Sequence, residues 1–346
     1  MTPQLATATL PVPSGCQHVE EVLPLRTLGR TGLSVSAAGL GLAALGRPAY
    51  MARGRHVDLG IDRSVAAMKQ RCHEMLDAAY AAGIRYVDTA RSYGLAELFL
   101  REWWDERQLP DDALTVGSKW GYVYTGEWQL DASAHEVKCL SLDTLRRQAA
   151  ESHALLGSRL SLYQIHSATL ESGVLDDTPV LAELARLREQ GVYMGITVTG
   201  PRQADVIRRA LEVRIDGVTL FDVVQATWNL LEPSASVALA EAKAAGCGVI
   251  IKEVLANGRL TMRHGGPELR ALRSHAARSC TTIEALSVAA ALAQPWADVV
   301  LSGAVTCEQL REHVAALALG PDPLPPTPLA EPSHLYWRRR ASLAWR

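Results

Sequence analysis

The chain of 346 residues is long enough for one large domain or two ordinary ones. Hydrophobic residues make up 48% and charged residues 21%, which excludes a disordered chain and predicts a sizeable buried core. The formal charge of −2 provides no basic surplus for binding phosphate backbones. No apolar run reaches the roughly 20 residues of a transmembrane helix. We therefore expect no nucleic-acid partner and no membrane insertion.

The spacing of the cysteines and the composition of the amino-terminal residues indicate the cellular compartment and whether a metal site is expected. The six cysteines lie scattered, without a C-x-x-C pair, so we expect neither a disulfide scaffold nor a zinc ribbon. His73-Glu74 and the pair His135 and Cys139 resemble metal-ligand spacing but lack further ligands, so no metal is expected. Residues 1–22 show neither the basic start nor the apolar stretch of a secretory signal. These features predict a cytoplasmic protein.

The predicted elements begin after a flexible tail over residues 1–23, which is rich in Pro, Thr and Ala. A β-hairpin is predicted around the Gly-Arg-Thr-Gly turn at 29–32, within residues 25–38. Beyond it, short apolar segments that predict strands alternate with longer stretches of helical period. The predicted strands are 38–42, 84–88, 114–119, 160–166, 192–197, 223–225, 248–252 and 299–302. The predicted helices include 65–82, 141–156, 180–190, 234–245 and 282–293.

Eight strands that alternate with helices indicate an α/β fold with parallel pairing, closed as a (β/α)8 TIM barrel. Gly83, Gly191 and Gly246 each follow a helical stretch, at the position where a helix commonly ends. No linker divides the chain, so residues 24–346 are predicted to form one domain with an N-terminal β-hairpin and an extra C-terminal helix. A doubly wound dinucleotide fold is rejected, because the glycine run at 39–46 has the wrong spacing and no helix follows it.

Polar residues end most of the predicted strands. In a barrel of this kind the active site lies at the carboxyl ends of the strands, so we expect these side chains to meet at one rim. They are Asp88, Lys119, His166, Thr197, Gln225, Lys252 and Ser302. The sequence therefore places a candidate active site at this rim.

Four residues near this rim suggest carbonyl chemistry. Tyr93 follows Asp88 by five residues, which places both after the second barrel strand. A phenol is a weak acid, and a nearby cation such as Lys119 favours the phenolate and makes proton donation easier. We expect Asp88 to orient Lys119, and His166 to hydrogen bond the carbonyl oxygen of a substrate. Because no side chain donates hydride, a nicotinamide cofactor is required.

Three segments resemble the aldo-keto reductase family. DTARSYG at 88–94, SKW at 118–120 and LYQIH at 162–166 are similar to its aspartate–tyrosine, lysine and histidine segments, in unbroken order. The resemblance extends from the predicted hairpin to about residue 313. It implies a (β/α)8 barrel and a nicotinamide cofactor bound extended across the strand ends, NADPH ahead of NADH. The implied catalytic tetrad is Asp88, Tyr93, Lys119 and His166.

The resemblance also implies contacts to the cofactor, with departures from the family pattern. Val198 stands in place of an asparagine, and Lys252 in place of an aromatic residue that stacks on the nicotinamide. Val305 stands in place of an Arg or Ser that binds the 2′-phosphate, for which Arg311 and His313 are candidate substitutes. The implied cofactor residues are Gly41, Leu42, Asp88, Thr197, Gln225, Lys252, Leu255, Ser302, Gly303, Gln309, Glu312 and His313.

The loop after the third barrel strand is rich in aromatic residues. Trp and Tyr side chains combine flat apolar faces with a polar edge, which suits a bulky amphipathic carbonyl compound. The candidate pocket residues are Trp120, Tyr122, Tyr124 and Trp128. The insertion at 54–63 is a further candidate wall, and the basic, aromatic C-terminal end is predicted to form a helix packed on the barrel.

Together these features predict an NAD(P)H-dependent oxidoreductase that reduces an aldehyde or ketone of small-molecule size to an alcohol, with Tyr93 as the proton donor. Two alternatives remain open. Lys252 and Val198 in the cofactor cleft are compatible with redox-neutral dehydration or isomerisation, and the barrel is also compatible with a nucleotide-sensing binding module. The mass of the product distinguishes redox-neutral chemistry from reduction, because only reduction adds two hydrogens. Nicotinamide oxidation with a panel of carbonyls distinguishes a reductase from a binding module.

Overall fold

The computed structural model of the protein describes residues 23–264, 266–319 and 329–346. Residues 1–22 of the predicted tail therefore lie outside the described residues. Leu23, the last residue of that predicted tail, is buried against the core.

Eight parallel strands close into a barrel. In chain order the strands of the described residues are β1 (Leu25–Thr27), β2 (Ser34–Ser36), β3 (Ala38–Gly41), β4 (Tyr86–Asp88), β5 (Thr115–Trp120), β6 (Tyr122–Tyr124), β7 (Glu136–Lys138), β8 (Leu160–Ala168), β9 (Tyr193–Val198), β10 (Arg214–Ile215), β11 (Val218–Thr219), β12 (Val223–Thr227), β13 (Gly248–Lys252) and β14 (Val299–Ser302). The barrel order is β3–β4–β5–β8–β9–β12–β13–β14, and β14 pairs with β3 to complete the circle. The predicted (β/α)8 barrel is confirmed.

Helices surround the barrel, and their ends follow the capping chemistry of the sequence. Over the described ranges they are α1 (Arg55–Asp58), α2 (Val65–Ala81), α3 (Ala96–Arg107), α4 (Leu142–Leu156), α5 (Thr178–Glu189), α6 (Gln203–Glu212), α7 (Ser236–Ala244), α8 (Arg270–Arg278), α9 (Ile283–Leu292), α10 (Cys307–Ala315) and α11 (Ser333–Ala341). Ser64 and Ser141 cap α2 and α4 by accepting a backbone N–H in the first turn. Gly83, Gly191 and Gly246 have φ values of 83°, 94° and 84°, the left-handed conformation predicted where these helices end.

The hairpin β1–β2 closes the amino end of the barrel. Its two strands pair antiparallel, as predicted, and Leu28 and Val35 are fully buried against the first residues of barrel strands, Val223 and Val299. A Cβ on Gly29, whose φ is +53°, would lie 2.1 Å from a backbone nitrogen of β13. With this end filled by apolar side chains, the open end of the barrel is the carboxyl end of its strands.

The C-terminal helix α11 packs on the side of the barrel, as predicted. Tyr336 and Trp337 are buried in an apolar cluster that also contains Leu260, Leu272 and Ile283. The elements that were not predicted include the helices α1, α3, α6 and α8 and the short antiparallel pairs β6–β7 and β10–β11. Within the residues described, no helix is both long and apolar enough to cross a membrane.

Candidate active site

A cavity of about 840 Å³ opens at the carboxyl ends of the barrel strands. The strands β4, β12, β13 and β14 each contribute a wall residue from at or near their last position, and these are Asp88, Gln225, Lys252 and Ser302. The structure therefore brings the strand-end residues to one rim, where parallel strands in a closed barrel must end together.

Asp88, Lys119 and Tyr93 form one connected group at the base of this cavity. The Lys119 ammonium donates a short hydrogen bond to the Asp88 carboxylate, another to the carbonyl of Thr89 at 2.9 Å, and a third to the Tyr93 hydroxyl oxygen at 3.3 Å. Lys119 is only 1% exposed, so this charge depends on Asp88 for its compensation. Since Lys119 donates to the phenol oxygen, the phenol proton is free to point into the cavity.

Protonation of Tyr93 differs from the sequence-based expectation. Burial raises the pKa of Tyr93 well above its usual value near 10, and the Asp88 carboxylate adds to the rise, whereas Arg47 lowers it. The sequence analysis expected Lys119 to lower the pKa of Tyr93, but the net direction is upward because burial, the largest cause, outweighs the cations nearby. Tyr93 consequently holds its proton at neutral pH.

His166 stands beside Tyr93 as a neutral imidazole. Their rings meet edge to face with centroids 5.5 Å apart, and the Tyr122 ring also packs edge to face on His166, with centroids 5.0 Å apart. Burial lowers the pKa of His166 well below 6.5, and Lys119 and Lys252 lower it further. A neutral ring has one N–H donor, which suits a hydrogen bond to a carbonyl oxygen.

Asp88 is also held from the far side of the barrel. Its second carboxylate oxygen accepts a hydrogen bond from the Gln225 amide at 2.8 Å and lies 3.5 Å from the Tyr86 hydroxyl. Both partners are buried, so the carboxylate that orients Lys119 has little freedom to rotate.

The wall above Tyr93 contains residues that the sequence analysis missed. The Arg47 guanidinium lies over the rings of Tyr93, Tyr50 and Trp345 at 5.1, 5.5 and 4.5 Å, and donates to Glu136 at 2.7 Å. Arg47 immediately follows the glycine run at 39–46, in which the sequence analysis looked for nucleotide contacts. Its partners Glu136 and Trp345 lie some 90 and 300 positions away in the sequence, so no local sequence pattern marks Arg47 as a wall residue.

The C-terminal segment also reaches the cavity. Arg340 donates two hydrogen bonds from Nε to the Glu253 carboxylate, at 2.9 and 3.0 Å, and Trp345 stacks on His135 with centroids 4.7 Å apart. The backbone N–H of Tyr50 donates to the carbonyl of the last residue at 3.1 Å. Arg340 and Trp345 both line the cavity, so the predicted terminal helix also carries part of its wall.

The opposite end of the cavity is formed by the segment that joins β14 to α10, together with α1. The Ser302 hydroxyl lies 2.7 Å from His313 Nδ1, and Arg55 donates to the carbonyl of Gly303 at 2.8 Å and to Gln309 at 3.3 Å. Two buried polar atoms at this end, Arg55 Nε and His313 Nε2, lack a hydrogen-bond partner within the described residues. Unpartnered buried donors and acceptors are rare, so this end is suited to a polar ligand.

The predicted cofactor residues divide by position. Those that line the cavity are Gly41, Asp88, Gln225, Lys252, Leu255, Ser302, Gly303, Gln309, Glu312 and His313. Leu42 and Thr197 do not line it: Leu42 is fully buried in the core, and the Thr197 hydroxyl accepts the backbone N–H of Ser167 at 2.7 Å. At the end of β9, the cavity wall is formed by Thr199 instead.

The aromatic pocket predicted after β5 is wrong for three of its four residues. Only Tyr122 lines the cavity. Trp120 is fully buried in the core, because side chains alternate along a strand and Lys119 already faces the barrel interior. Trp128 packs its ring on Phe99, and its backbone N–H donates to the Tyr124 hydroxyl at 3.1 Å. Charged and phenolic groups therefore replace the expected apolar wall.

A (β/α)8 barrel that gathers an aspartate, a lysine, a tyrosine and a histidine around one cavity at its open end defines a class of barrel enzymes. The family model of the aldo/keto reductase family matches residues 62–323, more than half of the chain, and the protein belongs to this family. Because its members and the relatives below are oxidoreductases, the protein is an oxidoreductase enzyme. Among the described residues, no three His, Cys, Asp or Glu side chains are grouped so as to hold a metal ion.

Curated relatives and solved structures are similar to this chain over most of its length. It is 27% identical to the L-galactose dehydrogenase of Arabidopsis thaliana over 85% of this chain and 88% of that protein. It is 26% identical to the NADH-specific methylglyoxal reductase of Escherichia coli (strain K12) over 84% of this chain and 92% of that protein. The aldo-keto reductase AKR11C1 from Bacillus halodurans shares the fold with a TM-score of 0.65 and 21% identity, over 93% of this chain and 97% of that one.

Proposed function

We propose that the protein is a carbonyl reductase that uses a reduced nicotinamide dinucleotide to convert an aldehyde or ketone to an alcohol. The observation that carries this proposal is the contact of the Lys119 ammonium with both Asp88 and the Tyr93 hydroxyl at the base of the cavity. When bound, the nicotinamide supplies the hydride that adds to the carbonyl carbon.

Tyr93 gives the proton that the carbonyl oxygen requires as hydride arrives. Lys119 hydrogen bonds the phenol oxygen, so its positive charge stabilises the phenolate that forms there. His166, neutral beside the same hydroxyl, orients the carbonyl oxygen by hydrogen bonding. Asp88 keeps Lys119 protonated and in place, in spite of a burial that lowers the pKa of Lys119.

The residues present at the far end of the cavity fit the phosphates of such a dinucleotide. Arg55 Nε and His313 Nε2 are buried polar atoms without partners, and the guanidinium of Arg55 is a cation suited to phosphate oxygens. Arg53 and Arg263 line the same end. Arg55 and Arg263 share the Asp58 carboxylate as an ion-pair partner, so these three arginines still outnumber it. This balance favours the more highly charged NADPH, and NADH is the alternative, as in the name of the Escherichia coli relative.

The substrate wall supports a small polar carbonyl compound. Arg47, Glu136, Tyr50 and Arg340 surround the space above Tyr93, and their hydrogen-bonding groups suit hydroxylated or oxygen-rich substrates better than bulky apolar ones. The names of two relatives, which refer to L-galactose and methylglyoxal, are in keeping with such substrates. We also propose a cytoplasmic location, which the free thiols of Cys72, Cys139, Cys247 and Cys280 support.

Substitution of Tyr93 by Phe tests the proposal. We expect Tyr93→Phe to lower kcat by at least about 100-fold, because general acid catalysis contributes about 10² to 10⁴ in rate. The Kd of the nucleotide should change less than about twofold, since the ring remains. Steady-state kinetics with a panel of small hydroxy-aldehydes and dicarbonyls measures kcat. Titration with the nucleotide measures its Kd.

Tyr80→Phe is the matched control, because Tyr80 lies on α2 and its ring contacts Arg85 and Trp103, away from the cavity. It should leave turnover unchanged. The product should be two hydrogens heavier than the substrate by mass spectrometry. A product of unchanged mass, or one lighter by a water molecule, would establish redox-neutral isomerisation or dehydration instead. Full activity in Tyr93→Phe would remove Tyr93 as the acid.

A further inference from the structure

Lys252 ends β13, and its side chain lines the cavity. Around the barrel, β13 lies between β14, which carries the polar far end at Ser302, and β12, which carries Gln225. The Lys252 ammonium donates a hydrogen bond to the Thr227 hydroxyl at 3.0 Å. Lys252 lines the same cavity as Tyr93, His166 and Ser302, and its charge acts on His166. A ring bound against Tyr93 therefore lies in the electrostatic field of this ammonium group.

The charge of Lys252 is not matched by a carboxylate in direct contact. Three other cations near the tetrad have one: Lys119 pairs with Asp88, Arg47 with Glu136 and Arg340 with Glu253. Within the described residues, no carboxylate oxygen lies within 4.0 Å of the Lys252 ammonium. The neighbouring Glu253 carboxylate is committed to the two Nε hydrogen bonds of Arg340. These four cations are thus matched by three carboxylates in direct contact, which leaves the charge of Lys252 in surplus beside the tetrad.

This surplus charge acts on the catalytic end of the cavity. Lys252 is among the groups that lower the pKa of His166. In turn, Lys119 lowers and Asp88 raises the pKa of Lys252. Burial lowers the pKa of Lys252 to about 8, against the opposing effect of Glu253, so the ammonium is charged at neutral pH and neutral above pH 9.

We infer that Lys252 makes this site discriminate against the oxidised nicotinamide ring, which is cationic, in favour of the reduced ring, which is neutral. The inference rests on the proposed function, which places a nicotinamide at the Tyr93 end. Two like charges enclosed in a protein cavity repel far more strongly than in water, and the neutral ring escapes that repulsion. The protein thus loads with the reduced nucleotide even where the oxidised form is abundant, and releases the oxidised product readily.

The experiment measures binding, because the same charge also opposes hydride donation and turnover would mix the two effects. Tryptophan fluorescence titration gives the Kd of NADPH and NADP⁺, and of NADH and NAD⁺, at pH 6.5 and pH 9.5. For the wild type, the ratio of oxidised to reduced Kd should fall about tenfold between the two pH values, as Lys252 loses its proton.

Two variants isolate the side chain. Lys252→Met keeps the length without the charge, so its ratio at pH 6.5 should lie about tenfold below that of the wild type and stay constant with pH. Lys252→Arg keeps the charge and should restore the wild-type ratio at pH 6.5. Other ionisable groups that face Lys252 also affect the ratio of the two Kd values. Their effect is common to the wild type and Lys252→Met and cancels in the comparison. These groups are Glu253, Arg340, Lys119, Asp88 and His166.

Each outcome decides a separate question. Binding of both redox forms with a ratio that neither pH nor Lys252→Met alters overturns the inference and leaves the proposed function standing. Absence of binding by any nucleotide overturns the proposed function itself, and the inference with it. The pH series on the wild type needs no variant, so a misfolded substitution does not remove the test.

Discussion

The guanidinium of Arg47 covers the ring of Tyr93 at 5.1 Å and at the same time donates to Glu136 at 2.7 Å. These two neighbours act on the phenol in opposite directions: Arg47 lowers the pKa of Tyr93 and Glu136 raises it. We expect Arg47→Met to lower kcat about tenfold, because the phenol becomes a weaker acid while the carboxylate loses its partner. The pH dependence of kcat measures this change.

A double variant separates acid strength from simple disruption of the wall. Glu136→Gln in the Arg47→Met background removes the carboxylate that raises the pKa of Tyr93, so part of the lost turnover should return. If the double variant is slower than Arg47→Met, the pair acts by shaping the pocket and its charges have no part in tuning Tyr93.

Arg55 is expected to bind phosphate, because its buried Nε has no partner at the far end of the cavity. Arg55→Met should weaken binding of the dinucleotide about tenfold, which is the contribution of roughly one charge-assisted hydrogen bond. Arg311→Met is the matched control. Arg311 was a candidate for the same role, but its side chain is 48% exposed on α10 and forms an ion pair with Glu308 at 3.2 Å. Calorimetric Kd values that shift equally in both variants would contradict the assignment to Arg55.

Local patterns predicted the barrel and its tetrad because both follow from short-range rules. Strand and helix periods, together with glycines such as Gly83 and Gly191, mark the repeating unit, and parallel strands in a closed barrel must end at one rim. Asp88 and Lys119 could therefore be placed together without knowledge of any other contact, and the structure joins them by a hydrogen bond.

The walls of the cavity follow from long-range packing, which local patterns do not contain. Arg47, Glu136 and Trp345 meet only because the β6–β7 pair and the C-terminal end fold over the same opening. Trp120 is a different case. Its burial could have been inferred from Lys119, since adjacent residues of a strand face opposite sides and Lys119 was already assigned to the interior.

The buried His313 should make stability depend on pH. Burial and the nearby Arg55 lower the pKa of His313 to about 4 in the folded protein, whereas an unfolded chain has the ordinary value near 6.5. Between these values the unfolded chain binds more protons, so stability is lost as pH falls from 6.5 towards 4. The loss attributable to His313 is on the order of 3 kcal/mol.

Urea unfolding at pH 7 and pH 4.5 measures this loss, and His313→Asn provides the comparison. The variant should lose less stability than the wild type on acidification, because asparagine does not titrate while its amide can still reach the Ser302 hydroxyl. All other ionisations are shared by the two proteins and cancel. Equal losses in both proteins would show that His313 is not protonated on unfolding.

Gly46 sets the position of the loop that carries Tyr93. A Cβ at this position would lie 2.3 Å from the Tyr93 carbonyl oxygen and 2.4 Å from the Ala96 Cβ, and the Leu95 N–H donates to the Gly46 carbonyl at 2.8 Å. Gly46→Ala must therefore change the spacing between the Gly46 segment and the loop that carries Tyr93. Because a misplacement of about 1 Å costs about 100-fold in rate, we expect kcat to fall at least about tenfold, with a loss of stability of about 1 to 3 kcal/mol.

Gly32→Ala controls for the general cost of replacing a glycine in this protein. Gly32 lies in the β1–β2 hairpin with φ of +74° and open space around it, so its substitution strains the backbone without displacing a neighbour. It should lower stability by about 1 kcal/mol and leave kcat unchanged. Steady-state kinetics on both variants at matched stability separate the two effects: wild-type kcat in Gly46→Ala would mean that the Tyr93 loop tolerates displacement, and the spacing between Tyr93 and Lys119 would then lose its proposed role in catalysis.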